Sequence, residues 1–171
     1  ATEVMTLAAD GNVGIGATAP GGQLHIKGDD DSDQVIIENT NANSNTAPDL
    51  VLYRSSASPA DADNIGKLEF RGINDNSDDF NYANIYVSAD DVSDASEDST
   101  MFFNVYGAGA VKSMVLQSGN VGIGTSSPAM PLHVVGAKVT SATTTFSQLR
   151  IEDTSDFDGS PIAGINFAGR N

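Results

Sequence analysis

Apolar residues along this 171-residue chain come in short stretches that alternate with polar ones, without the three-to-four spacing of an amphipathic helix. In "GKLEFRG", Leu68 and Phe70 fall on one side and Lys67, Glu69 and Arg71 on the other, the period of a half-buried strand. "NIYVS" sets Ile85 and Val87 against Tyr86 and Ser88, and "TMFFNVYG" sets Met101, Phe103 and Val105 against Phe102, Asn104 and Tyr106. "KSMVLQS" aligns Met114 with Leu116, and "QVIIEN" and "DLVLYRS" complete the expected strands. Between them lie "GDDDSD", "NTNANSNTAPD", "SSASPADAD" and "DDVSDASEDS", all rich in turn formers. The pattern predicts an all-β fold of short antiparallel strands joined by long polar loops.

One phrase occurs twice. "GNVGIGATAPGGQLHIKG" spans Gly11 to Gly28, and "GNVGIGTSSPAMPLHVVG" spans Gly119 to Gly136. The likeness extends outward in order. "VMTLAAD" matches "SMVLQS" with one residue deleted, "QVIIENT" resembles "QLRIEDT", and "KLEFRGIN" resembles "GINFAGRN". The organisation expected is a first glycine-rich collar over 1–28, a β module over 29–118, a second collar over 119–136, and the start of a second module over 137–171. The repeat is longer than the usual solenoid unit.

Glycines in such a phrase invite a nucleotide-binding reading, and the letters do not support it. A dinucleotide fingerprint needs a third glycine and a helix whose N-terminus meets the pyrophosphate. Here Gly122 and Gly124 are followed by Pro128 and Pro131, and no helix begins. A structural reading uses more of the residues. Gly11-Asn12 and Gly119-Asn120 are turn dipeptides. Gly14 and Gly16, like Gly122 and Gly124, then alternate with bulky residues, leaving a bare strand face that another backbone can approach closely. In the following strand, Leu24 and Ile26 (Leu132 and Val134) are expected to point inward, with the histidine on the other side.

The phrase "GNVGIGT-x-x-P-x-x-x-LHV-x-G" resembles one found in bacteriophage tail-fibre and related virion adhesin proteins. The resemblance is close over the two 18-residue copies and loose elsewhere. The first copy departs from it at Ala17, where the second has Thr125, and carries Gly21-Gly22 where the second has Ala129-Met130. It implies an intertwined parallel homotrimeric fibre on the virion exterior, partnered by other tail proteins and by a glycan or protein of the host surface. A self-cleaving chaperone segment often follows this phrase in the family, and none is recognisable here.

Charge narrows the partners. Eight Lys plus Arg stand against 23 Asp plus Glu, for a formal net of −15. Such a polyanion repels phosphate, which argues against nucleic acid and against anionic membrane. Eighteen of the acids are Asp, which favours turns. Without Cys there is no disulfide, thiolate ligand or cysteine nucleophile. No apolar run reaches membrane-spanning length, and "ATEVMTLAAD" lacks the basic start of a secretion signal. Starting at Ala1, the chain reads as processed or as a piece of something longer.

Candidate chemistry is sparse, and neither a cofactor nor a catalytic residue is expected. His25 and His133 occupy equivalent places, either as metal ligands on a trimer axis or as strand histidines bonded to a neighbouring loop. Asp29, Asp30, Asp31 and Asp33 could wrap calcium, as could Asp90, Asp91, Asp94, Glu97 and Asp98, yet neither run has EF-hand spacing. Asp78 and Asp79 beside Phe80 and Tyr82 form a candidate receptor loop, with ring stacking on a sugar and carboxylates accepting from its hydroxyls. Host recognition, if it occurs here, is expected in loops 29–33, 41–49, 55–64, 75–81 and 90–99. The rival readings are a carbohydrate-cleaving tailspike, which needs a specific pair of carboxylates, and a bacterial surface adhesin.

Overall fold

The structure, a computed structural model, describes residues 4–42, 48–107 and 110–136. All regular structure among them is β. The chain divides into two compact units, Ala1–Val51 and Leu52–Asn171.

The first unit holds a three-stranded sheet of β1 (Met5–Leu7), β2 (Val13–Ile15) and β3 (Leu24–Ile26). The second holds a six-stranded sheet of β4 (Asn64–Ile73), β5 (Asp79–Asp91), β6 (Asp98–Gly107), β7 (Ala110–Gln117), β8 (Asn120–Ile123) and β9 (Leu132–Val134), paired in chain order. β4 to β8 pair antiparallel, as alternation and tight turns predict. Two pairings correct the antiparallel expectation: β2–β3 and β8–β9 are parallel. β4, β5 and β6 are also longer than expected, at 10, 13 and 10 residues.

The two copies of the phrase adopt one backbone. Val13, Gly14 and Ile15 pair with Leu24, His25 and Ile26, just as Val121, Gly122 and Ile123 pair with Leu132, His133 and Val134. Flanking bonds also match: Val13 N–H donates to Gln23 O at 2.8 Å and Val121 N–H to Pro131 O at 2.9 Å. The preceding strand is equivalent too, since Met5 opposes Ile15 as Met114 opposes Ile123. The deleted residue lies in the hairpin turn. Ser118 and Gly119 alone separate Gln117 from Asn120, whereas the first copy closes a longer loop with Ala8 N–H donating to Asn12 O. The counterparts expected at 148–152 and 164–171 lie outside the described residues.

The domain reading changes in one respect. The second phrase does not stand apart from the module before it, because β7 pairs with β8 inside a single sheet. The boundary expected between 118 and 119 falls in the middle of a two-residue turn.

Two expected strands do not form. Residues 34–38 and 49–54 lie outside the strands, and Val35, Ile36, Leu50 and Val51 are exposed. A strand exists only when a partner satisfies its backbone groups, and an apolar run does not by itself create one. Leu52 has a local role: it lies across Gly66 of β4, where an added Cβ would come within 3.0 Å of the Leu52 Cβ.

Registration across the six strands sorts the sheet into two chemically distinct faces. On one, Leu68, Ile85, Phe103, Met114, Ile123 and Val134 form a continuous row. Gly66, Val87, Met101, Leu116, Val121 and Leu132 form the next, and Phe70, Ala83, Val105 and Lys112 a third. Apart from Leu52 over Gly66, this apolar face is left largely open by the described residues. Leu132 is 56% exposed and Phe70 57%. Leu24, expected inward, is likewise exposed in the small sheet. Buried hydrophobic side chains among the described residues are only Ala17, Ala89 and Val115.

Candidate functional site

The opposite face of the sheet is polar and, against expectation, holds the most deeply buried side chains. Val115 is fully buried there, and Thr100, Asn84 and Asn104 are buried with it. Lys67, Tyr86, Phe102, Val115, Gly122 and His133 share one row. Glu69, Asn84, Asn104 and Ser113 make the adjacent row. Within it Ser113 Oγ donates to Asn104 Oδ1 at 2.6 Å, and Asn104 Nδ2 donates to Asn84 Oδ1 at 3.0 Å. Buried amides need such partners, and this chain of bonds supplies them across three strands. The Asn84 Nδ2 has no acceptor among the described residues.

Aromatic rings stand on both sides of this amide row. Tyr86 and Phe102 stack with centroids 4.5 Å apart and planes 5° from parallel. On the other side Tyr106 opposes Val111, and Phe80 meets Tyr106 edge-on at 6.0 Å. The result is a depression of about 450 Å³ with an amide and hydroxyl floor and ring walls. At its margin Lys67 Nζ sits 2.7 Å from Glu69 Oε1. That hydrogen bond is the main reason the Glu69 carboxyl lies below the usual range.

The second glycine phrase lies at the other end of the same face, and in both copies the bare side is already occupied. The connection from β8 to β9 runs back over the strand, so a Cβ on Gly122 would come within 2.7 Å of the Thr125 carbonyl oxygen. In the first copy a Cβ on Gly14 would overlap the Ala17 carbonyl oxygen. Parallel strands ordinarily need a crossover of a dozen or more residues. Here a shorter one, residues 124–131 or 16–23, suffices because glycine leaves it room. The backbone that approaches the glycines closely, as their bare face allows, is the chain's own. Gly16 and Gly124 have φ of +68° and +75°, and a Cβ on either would strike the carbonyl oxygen of Lys27 or Val135. Gly11 and Gly119 likewise share positive φ, at the turns expected of Gly11-Asn12 and Gly119-Asn120. Asn120 Nδ2 then donates to Pro128 O at 3.2 Å, tying the turn to the crossover, whereas Asn12 Nδ2 donates to Asp10.

His25 and His133 hold the same loop. Each accepts at Nδ1 from a backbone N–H, Gly21 at 3.2 Å and Ala129 at 3.3 Å, which places the ring proton on Nε2. This is the strand histidine bonded to a neighbouring loop. Among the described residues no three His, Asp or Glu side chains converge on a point that could hold a metal ion.

The candidate receptor loop separates into two parts. Asp78 is drawn into its own turn, its N–H donating to Asn74 Oδ1 at 2.8 Å and its carboxylate accepting from Asn76. Asp79 pairs with Arg71. The rings face elsewhere: Phe80 and Tyr82 meet edge-to-face at 5.0 Å, and Phe80 reaches Tyr106. Asp90, Asp91 and Asp98 also serve structure. Asp91 accepts from the Ser93 N–H at 2.7 Å, which lowers its carboxyl below the ordinary value, and Asp90 bonds Thr100 and Gln117. Asp98 accepts from Ser118 Oγ, and Asp30 from the Ser32 N–H.

Sequence reasoning missed Asn84, Asn104 and Ser113. Alternation already set Asn104 on the same side as Phe102 and Tyr106, but only the pairing register brings the two asparagines and the serine into one row. The chain matches no protein-family model and no curated protein sequence.

Proposed function

We propose that the chain is a non-enzymatic structural and adhesive segment of a bacteriophage tail fibre, lying on the virion exterior and acting as a parallel homotrimer. The observation that carries this reading is the apolar face of the six-stranded sheet, left largely open by the described residues. Side chains such as Leu68, Met101, Leu116 and Ile123 are each about four-tenths exposed. Burying what remains of eight such residues contributes on the order of 10 kcal/mol per chain, at about 1 kcal/mol each. That is as large as the whole stability of an ordinary domain. With three buried hydrophobic side chains among the described residues, a single copy is short of core, and further copies are the simplest cover. The duplicated phrase, self-locked by its crossover, serves as the collar that closes each module. Loops rich in Asp and Asn keep the outside soluble beside other tail proteins and a host glycan or protein.

Sedimentation velocity tests the assembly directly, with a trimer expected for the unmodified chain. A folded monomer overturns the reading. For the absence of catalysis, incubation with host capsule or lipopolysaccharide is expected to release no new reducing ends. Their appearance would instead establish a tailspike.

A further inference from the structure

We propose that the depression on the polar face of the six-stranded sheet binds a neutral, hydroxyl-rich sugar ring of a glycan, seated on Asn84, Asn104 and Ser113 between the Tyr86–Phe102 and Tyr106 walls. Three features select this ligand. The floor offers both donors and acceptors at close spacing, and the Asn84 Nδ2 remains without a protein acceptor among the described residues, so a ligand hydroxyl would complete a half-used amide. The walls are aromatic, and the C–H faces of a pyranose pack against such rings.

The third feature is size and charge. Phe102 and Tyr106 are four residues apart along β6, about 13 Å of strand. After ring thickness this leaves the width of a single sugar, and about 450 Å³ suits one or two units. Lys67, the cation at the margin, is neutralised by Glu69, and the chain as a whole carries −15. An acidic sugar or a phosphate therefore meets net repulsion, whereas a neutral ring meets none. A peptide strand would seek a free sheet edge, and this site lies on a face.

The inference draws on the fibre reading at one point only: if copies cover the apolar face, the polar face is the one turned outward. The two fail separately. A monomer that binds sugar sinks the fibre and leaves the cleft, and a trimer that binds none does the reverse.

The experiment is saturation-transfer difference NMR on the full chain, with lactose, maltose and diacetylchitobiose as probes and sialyllactose as the acidic comparison. Transfer to ring C–H protons of at least one neutral probe is expected, with weaker transfer to sialyllactose than to lactose. Tyr86→Ala and Tyr106→Ala each remove one wall and should weaken binding about three- to tenfold. Tyr53→Ala, at a residue 82% exposed that does not line the cleft, should leave binding unchanged. Absence of transfer from all three neutral probes overturns the proposal. So does unchanged binding in either wall variant that keeps its β-sheet circular dichroism.

Discussion

At residue scale, the glycines of the repeated phrase do two different jobs. Gly14 and Gly122 are needed for space, since the crossover carbonyl occupies the place of a side chain, while Gly16 and Gly124 are needed for a left-handed backbone as well. Replacing Gly124 with Ala should therefore cost about 1–3 kcal/mol through backbone strain, with the clash against Val135 O added. Gly21, which has open space around it and no positive φ, should accept Ala at no loss or with a gain of about 0.4–1 kcal/mol. Urea denaturation midpoints of the two variants check this contrast. That glycine mattered here was legible in the sequence, because bulky and bare positions alternate. What meets the bare side was not, since a carbonyl several residues downstream leaves no mark in composition.

Elements tell a parallel story. The four strands read from alternation, in "GKLEFRG", "NIYVS", "TMFFNVYG" and "KSMVLQS", all form and keep the expected sides. The two segments that carry unbroken apolar runs, around Ile36 and Val51, remain unpaired in one chain. Alternation encodes a strand with one face, whereas a continuous run says only that something must cover it. If neighbouring copies supply that cover by pairing, amide hydrogen exchange of the assembled protein should show protection at 34–38 and 49–53. Rapid exchange there would mean that these segments take no part in assembly. The polar face yields a sharper test. Val115 is fully buried between Phe102 and Gly122 in its row, so Val115→Ala should lower stability by about 2 kcal/mol, seen as a fall in Tm. Alternation sets Val115 on the side away from Met114 and Leu116, and it is the register that brings it beside Gly122, over which the crossover runs.

At the scale of the whole molecule, charge and cohesion oppose each other. Each chain carries −15, and bringing copies together concentrates that charge while the apolar faces draw them in. Screening weakens only the repulsion between exposed charges. Raising salt should therefore tighten self-association, measurable as a lower dissociation constant in sedimentation equilibrium at high salt than at low. Weakening with salt would indicate that ion pairs, not the apolar face, hold copies together.

The parallel pairing of β9 with β8 also decides where the polypeptide is delivered. An even number of strands that all run antiparallel returns a chain to the end of the sheet at which it entered. Six strands with one parallel step change that parity: β4 sets out from one end, and β9 runs away from that end as far as the row of Leu68. Without the crossover over Gly122 the path would double back on itself. With it, the chain makes net headway along the sheet, from the row of Ser88 to the row of Ile85, three positions or about 10 Å. The same short phrase therefore acts as a ratchet on direction, and pasting it between sheets lets a chain travel onward where ordinary hairpins would keep it in place.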